Sequence, residues 1–293
     1  MNDAKQVKYY PPVEEWVNIA THALGLFLSV AGLVLLVLRA SQHGDTWHMV
    51  SYVVYGVSLI TLYAASTAYH SSRDPVRRTR LRTVDHASIF ILIAGTYTPF
   101  ALVTLNGPVG WTIFGVTWGM ALTGLVLKLF YTGRFELLSV LIYVFMGWII
   151  VFFIKPLMAS FSMDGLLWLL AGGIAYTLGA VLYSIGKLHF NHAIFHLFVL
   201  LGSICHFVAI YQYVLPVDEA EGNTYVLVHG ATGGGWDWKT VDDILSTDGH
   251  EVYRPTLTGL GERMHLNSPE ITLTTHIDDI VNVILFEKLD SIV

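Results

Sequence analysis

Three histidines and one aspartate hold most of the chemistry available to this chain: His70 in Ser66-Thr-Ala-Tyr-His70, Asp85 in Val84-Asp-His86, and the pair in His192-Ala-Ile-Phe-His196. Each stands at the edge of a long apolar run. His70 closes the second run, Asp85 opens the third and the pair opens the last. Ionisable groups are costly to keep there, so such residues read as a functional site by default. His192 and His196 are four apart, which puts both on one helix face and within reach of one ion. With His70 from another helix they make three imidazoles, the ligand set of a zinc ion that keeps one position for water. Asp85 would be one ligand too many for an open site and is assigned to that water as hydrogen-bond acceptor or base. Ser66, one turn before His70, is placed to orient the imidazole or the water. Taken singly, each residue has a plainer reading as a packed histidine or an aspartate capping the third helix; the set is what points to a metal. His22 and His206 also fall within apolar runs. His22 is near the same end and is a candidate to support the ligands, whereas His206 is deeper and reads as core. The lone Cys205 can form no intrachain disulfide and reads as packing.

The elements that must position these groups are long. The 293 residues are 54% hydrophobic and 13% charged, with a mean hydropathy of +0.58, outside the range of soluble globular chains. Seven runs are long enough for a helix to cross a hydrocarbon core: 18–38, 47–70, 85–104, 109–130, 135–154, 165–186 and 192–214. Gly, Ala, Ser and Thr punctuate them, as close helix packing in lipid requires. Trp47, Trp111, Trp148 and Trp168 lie near run ends and suit an interfacial belt. Residues 1–17 have no apolar core and the first run is too long for a signal peptide, so no cleavage is expected. The fold class expected is an all-α membrane protein, a bundle of seven transmembrane helices followed by a small incomplete α/β segment.

Orientation follows from Lys and Arg. Arg73, Arg77, Arg78, Arg80 and Arg82 lie between the second and third runs; Lys5, Lys8, Lys128, Arg134 and Lys187 fall on the same side. Only Arg39 and Lys155 fall opposite, ten against two, which places the N-terminus in the cytoplasm and the end of the seventh helix outside. All four chemical residues then face the cytoplasmic side. The five arginines need no further role than orientation and headgroup contact.

After Pro216 the composition changes. Residues 217–293 carry a net charge near −10, including Asp218, Glu219 and Glu221, against near +4 for 1–216. No spanning run occurs there. Residues 224–229 read as a strand, followed by a glycine-rich turn at 230–235, a helix over 238–246, a strand at 251–254 and an amphipathic helix over 276–285. The domains expected are 1–216, in the membrane, and 217–293.

The patterns Ser66-x-x-x-His70, Asp85-His86-x-x-Ile89 and His192-x-x-x-His196, with the opening Glu15-Trp-Val-Asn-Ile-Ala-Thr-His22-x-x-Gly25, resemble the haemolysin-III-type membrane proteins. These are the bacterial branch of the progestin and adipoQ receptor family. The resemblance runs from about residue 14 to 215. It implies a seven-helix bundle in the bacterial inner (plasma) membrane, with zinc near the cytoplasmic face held by residues matching His70, His192 and His196, and Asp85 contacting the zinc-bound water. It also implies a lipid substrate, since similar sites in eukaryotic members and alkaline ceramidases cleave lipid amides. The tail, Val226-Leu-Val-His-Gly230-Ala-Thr-Gly-Gly-Gly235-Trp-Asp-Trp and 249–263, resembles the N-terminal portion of an esterase-like α/β-hydrolase, whose glycine-rich turn supplies oxyanion-hole amides. No Gly-x-Ser-x-Gly and no late Asp and His accompany it, so this segment alone is not expected to do serine-hydrolase chemistry. Half a sheet with open edges should be poorly stable.

The leading expectation is a zinc-dependent hydrolase of lipid amide or ester bonds that uses a metal-activated water, with membrane lipids as substrate. The rival is a receptor-like or sensor protein in which a structural zinc pins the second and seventh helices together. A haemolytic pore-former is a third reading, against which stands the lack of a strongly amphipathic pattern. No basic, aromatic-rich stretch suggests nucleic acid, and the sequence carries no signal for oligomeric state.

Overall fold

The structure is a computed structural model that describes residues 7–131, 136–215 and 223–293. Lys5, Arg134, Phe135, Pro216, Asp218, Glu219 and Glu221 lie outside the described residues. The chain forms two compact units, Met1–Pro216 and Val217–Val293.

The first unit is all-helical, and among the described residues seven helical segments are long and apolar enough to cross a membrane. Helix α1 (Pro12–His43) opens with Pro12 at a position that lacks an intrahelical partner anyway, followed by Glu14 and Glu15 against the positive end of the helix. Asp45 caps α2 (Thr46–Ser71) by accepting from the Trp47 and His48 amides. Helix α3 (Pro75–Pro99) is capped by Asp74, whose carboxylate accepts from Arg77 N at 2.7 Å, and runs on through a wider turn at Phe100–Leu105. Helices α4 (Gly107–Tyr131), α5 (Glu136–Gly147), α6 (Ile154–Ser160), α7 (Met163–Ser184) and α8 (Asn191–Tyr213) follow. A tighter turn, Ile149–Phe153, joins α5 to α6 within the fifth span.

Side-chain contacts tie the ends of these helices in pairs. Tyr9 and Arg78 bind backbone carbonyls at Arg73 and Lys8, joining the chain before α1 to the start of α3. At the other end Arg39 donates to the Leu215 carbonyl and lies over the Tyr211 ring, and Trp47 meets Trp111 edge-on. Helices α2 and α3 are the most buried spans, at 56% and 61% of their apolar windows, and the fifth span the least, at 11%. Small residues permit the close packing. A Cβ on Gly202 would come within 2.7 Å of the Tyr176 ring, and the neighbouring Ser203 takes the hydroxyls of both Tyr63 and Tyr176 at 2.8 Å.

Three readings from the sequence are corrected here. Helix α3 starts at Pro75, so Asp85 lies about three turns inside it and caps nothing, and Arg77, Arg78, Arg80 and Arg82 are helical. Basic residues lower the hydropathy of that stretch without lowering its helix propensity, which hid the early turns. The fifth span extends to Ser160 and is interrupted at its middle, where Trp148 donates to Thr177 instead of sitting at an interface. The first span extends to both sides of 18–38, reaching Pro12 and His43.

The second unit pairs strand β1 (Thr224–Val226) in parallel with β2 (Glu251–Tyr253), with α9 (Lys239–Thr247) as the crossover and α10 (Leu273–Phe286) after it. β1 is shorter than 224–229. Its other edge meets the last residues, as Val293 N donates to Thr224 O and Val226 N to Val293 O. The glycine-rich turn packs back on the sheet through Gly235 N to Thr256 Oγ1, and His229 Nε2 accepts from Leu257 N.

Candidate metal centre

Helix α2 delivers His70 one residue before its end, and α8 delivers His192 and His196 from its first two turns. The short reversal between α7 and α8 is made by Phe190 at φ 59° and by Asn191, whose amide donates to Tyr183 O. These constraints bring the three imidazoles together. One nitrogen of each lies within 4.8 Å of the others, and His70 Nε2 is 3.1 Å from His192 Nε2. All three side chains are buried. Three imidazole nitrogens converging this closely in a buried place form a donor set that can hold a metal ion.

Glu15 holds the His70 ring from behind. His70 Nδ1 donates to Glu15 Oε2 at 2.7 Å; a carboxylate can only accept, so the proton stays on Nδ1 and Nε2 keeps its lone pair for an ion. The other oxygen, Oε1, pairs with Arg78 and accepts from Tyr10 N at 3.2 Å. Arg78 is only 2% exposed and donates further to the carbonyls of Tyr69, His70 and Ser72. Of the five arginines assigned to orientation alone, this one is therefore part of the framework of the site.

The remaining residues singled out from the sequence fall into place around this cluster. Asp85 and Ser66 are buried and line one cavity with His192 and His196. Ser66 Oγ makes no hydrogen bond to His70. His22 stacks on His196 at 3.5 Å between ring centres with the planes 11° apart, which fits a supporting residue. His206 is not plain core, since it lines the far part of the cavity while Nε2 meets the Leu169 carbonyl at 3.1 Å. Cys205 is a buried free thiol. Glu15, Tyr10 and Arg78 are the residues whose roles sequence reasoning missed. Glu15 was visible only as part of a pattern, and nothing local signals a partner 55 positions away.

The cavity has a volume of about 420 Å³. Its wall is formed largely by apolar side chains of α3, α5, α6, α7 and α8, among them Ile89, Val144, Leu170 and Val199. Its polar lining includes Asp85, Ser66, His192 and His196, and Lys128, which is also buried and donates to Ser139 Oγ at 2.6 Å. Some lining residues of α6 and α7, such as Met158 and Leu167, are also exposed on the side of the bundle.

A multi-pass helical bundle with a buried three-histidine cluster at one end of an apolar cavity defines a class of membrane protein with a candidate metal site. Within that class the chain belongs to the haemolysin-III family, whose model, haemolysin-III related, matches residues 11–207. Hemolysin-3 of Bacillus cereus is 46% identical over 203 residues, which cover 69% of this chain and 93% of that protein. The human monocyte to macrophage differentiation factor is 31% identical over 218 residues, covering 70% and 87% respectively, which extends the kinship to the progestin and adipoQ receptor type. The tail is similar to part of a different protein. Over 69 residues it is 45% identical to the carbendazim hydrolyzing esterase of Nocardioides sp. (strain SG-4G), a match spanning 24% of this chain and 28% of the esterase.

Proposed function

We propose that the membrane unit is a zinc-dependent hydrolase of lipid amide or ester bonds. The observation that carries the reading is a three-histidine cluster, two of whose members, His192 and His196, line the same apolar cavity of about 420 Å³ as the buried Asp85 carboxyl group. The donor set suits zinc. Two nitrogens at about 2.0–2.1 Å from a tetrahedral zinc stand roughly 3.3 Å apart, close to the 3.1 Å between His70 and His192. Zinc held by His70, His192 and His196 would supply Lewis acidity, making water acidic near neutral pH and polarising a scissile carbonyl.

The chain's own residues do the rest. Glu15 keeps the proton on His70 Nδ1, so the ligand presents one fixed tautomer. The Asp85 carboxylate accepts a proton from the attacking water and returns it to the departing amine or alkoxide. The apolar wall takes the acyl chain and excludes bulk water, which strengthens every charge interaction at the polar end.

Purified protein should carry about one zinc per chain by elemental analysis and should release fatty acid from ceramide-like amides or from lipid esters. His192→Ala and His196→Ala should lose both the metal and the release. Full metal occupancy in both variants would reject the site. Metal that depends on these histidines, with no turnover of any lipid tried, would favour a structural ion in a receptor-like bundle.

A further inference from the structure

The three candidate ligands are not held in the same way. His70 is oriented by a hydrogen bond to Glu15, whereas the Nδ1 atom of His192 is buried and meets no hydrogen-bond partner among the described residues. Rings lie against both histidines of α8. His22 lies flat on His196, and Tyr10 lies on His192 with ring centres 4.5 Å apart and planes 21° apart. Tyr10 belongs to no helix. It sits in the short segment before α1, and that segment is pinned at three successive residues. Arg78 Nε donates to the Lys8 carbonyl at 2.9 Å, Tyr9 donates to the Arg73 carbonyl at 3.1 Å, and Tyr10 N donates to Glu15 Oε1 at 3.2 Å. The Lys8 ammonium lies 4.9 Å from the centre of the Tyr10 ring.

We propose that Tyr10 is a positioning residue of the metal centre: its ring fixes the plane of His192 and, with residues 8–10 pinned, closes the direct path from water at that end of the bundle. The proposal rests on the metal reading given above. Without a ring on its face and without a partner at Nδ1, His192 would turn about its side-chain bonds, and that freedom would have to be given up each time an ion is bound. Tyr10 is half-buried and lies in the segment before α1, at the end of the bundle that carries the cluster.

The test compares full-length wild type, Tyr10→Phe and Tyr10→Ala, each loaded with zinc in detergent and then mixed with excess EDTA. Elemental analysis follows the metal retained over time. Tyr10→Ala should lose zinc faster, by about the tenfold to hundredfold that removing a residue orienting a ligand takes from metal affinity. Tyr10→Phe, which keeps the ring, should stay close to wild type. The same three proteins loaded with Co²⁺ give a second readout, and the visible bands should change in Tyr10→Ala alone. Equal rates of zinc loss in Tyr10→Ala and wild type would overturn the proposal, as would loss in Tyr10→Phe as fast as in Tyr10→Ala. A Tyr10→Ala protein whose thermal unfolding in EDTA already differs from wild type in EDTA would mark a general structural role and would also overturn it. Wild type that holds no metal would instead defeat the reading on which the proposal stands.

Discussion

Glu15 uses both of its oxygens, one on His70 Nδ1 and one on Arg78. Glu15→Gln keeps the size but can no longer hold the His70 proton by charge, and it leaves a buried guanidinium without its carboxylate. Metal affinity should fall by about 10- to 100-fold in a chelator competition. The folded state should lose about 3 kcal/mol in a thermal or denaturant titration. Asp85→Asn separates a base from a ligand, because the amide can still accept a hydrogen bond but is a very poor base. Metal should be retained while any lipid hydrolysis falls by about a hundredfold or more; loss of metal would make Asp85 a ligand instead. At this scale the histidines were legible because imidazoles are rare and expensive in apolar runs. Their supports were not, since Glu15 and Tyr10 look like an ordinary acidic first turn and a leading aromatic until the fold sets them beside residues 55 and 182 positions away.

The helices themselves were legible to the extent that hydrocarbon thickness dictates their length. Seven apolar runs became seven candidate spans, but hydropathy sees the lipid-facing part of a helix and misses charged turns that continue it, as at the start of α3. The interruption of the fifth span left no mark either. No proline stands between Gly147 and Phe153, and the break is instead held from another helix, by Tyr97 on α3. Its hydroxyl donates to Gly147 O at 2.8 Å and accepts from Ile150 N at 3.1 Å, satisfying backbone groups that the irregular turn leaves open. Tyr97→Phe removes that bridge and should cost about 1–3 kcal/mol, read as a lower melting temperature in detergent with metal content unchanged. An unaltered melting temperature would mean that the break satisfies itself.

The two compact units are similar to parts of different proteins. The Bacillus cereus relative is matched over 93% of its length by the membrane unit's part of the alignment, whereas the tail matches 28% of an esterase. The sequence changes at 216–217 both in net charge and in the loss of spanning runs, and the two compact units are Met1–Pro216 and Val217–Val293. The bias of Lys and Arg in the sequence, ten on one side of the spans and two on the other, predicts a cytoplasmic N-terminus. A reporter inserted at residue 73 should read as cytoplasmic and one fused at 216 as external; the reverse result would put the histidine cluster at the outer face.

The fifth span is the loosest wall of the bundle, and exposed residues of α6 and α7 also line the cavity. A ligand that approaches through that side is counted per unit area of bilayer, not per litre of buffer. Its apparent affinity then follows its mole fraction among surrounding amphiphiles. Adding inert detergent at constant substrate concentration should slow turnover by surface dilution, whereas a site fed from water would leave the rate unchanged.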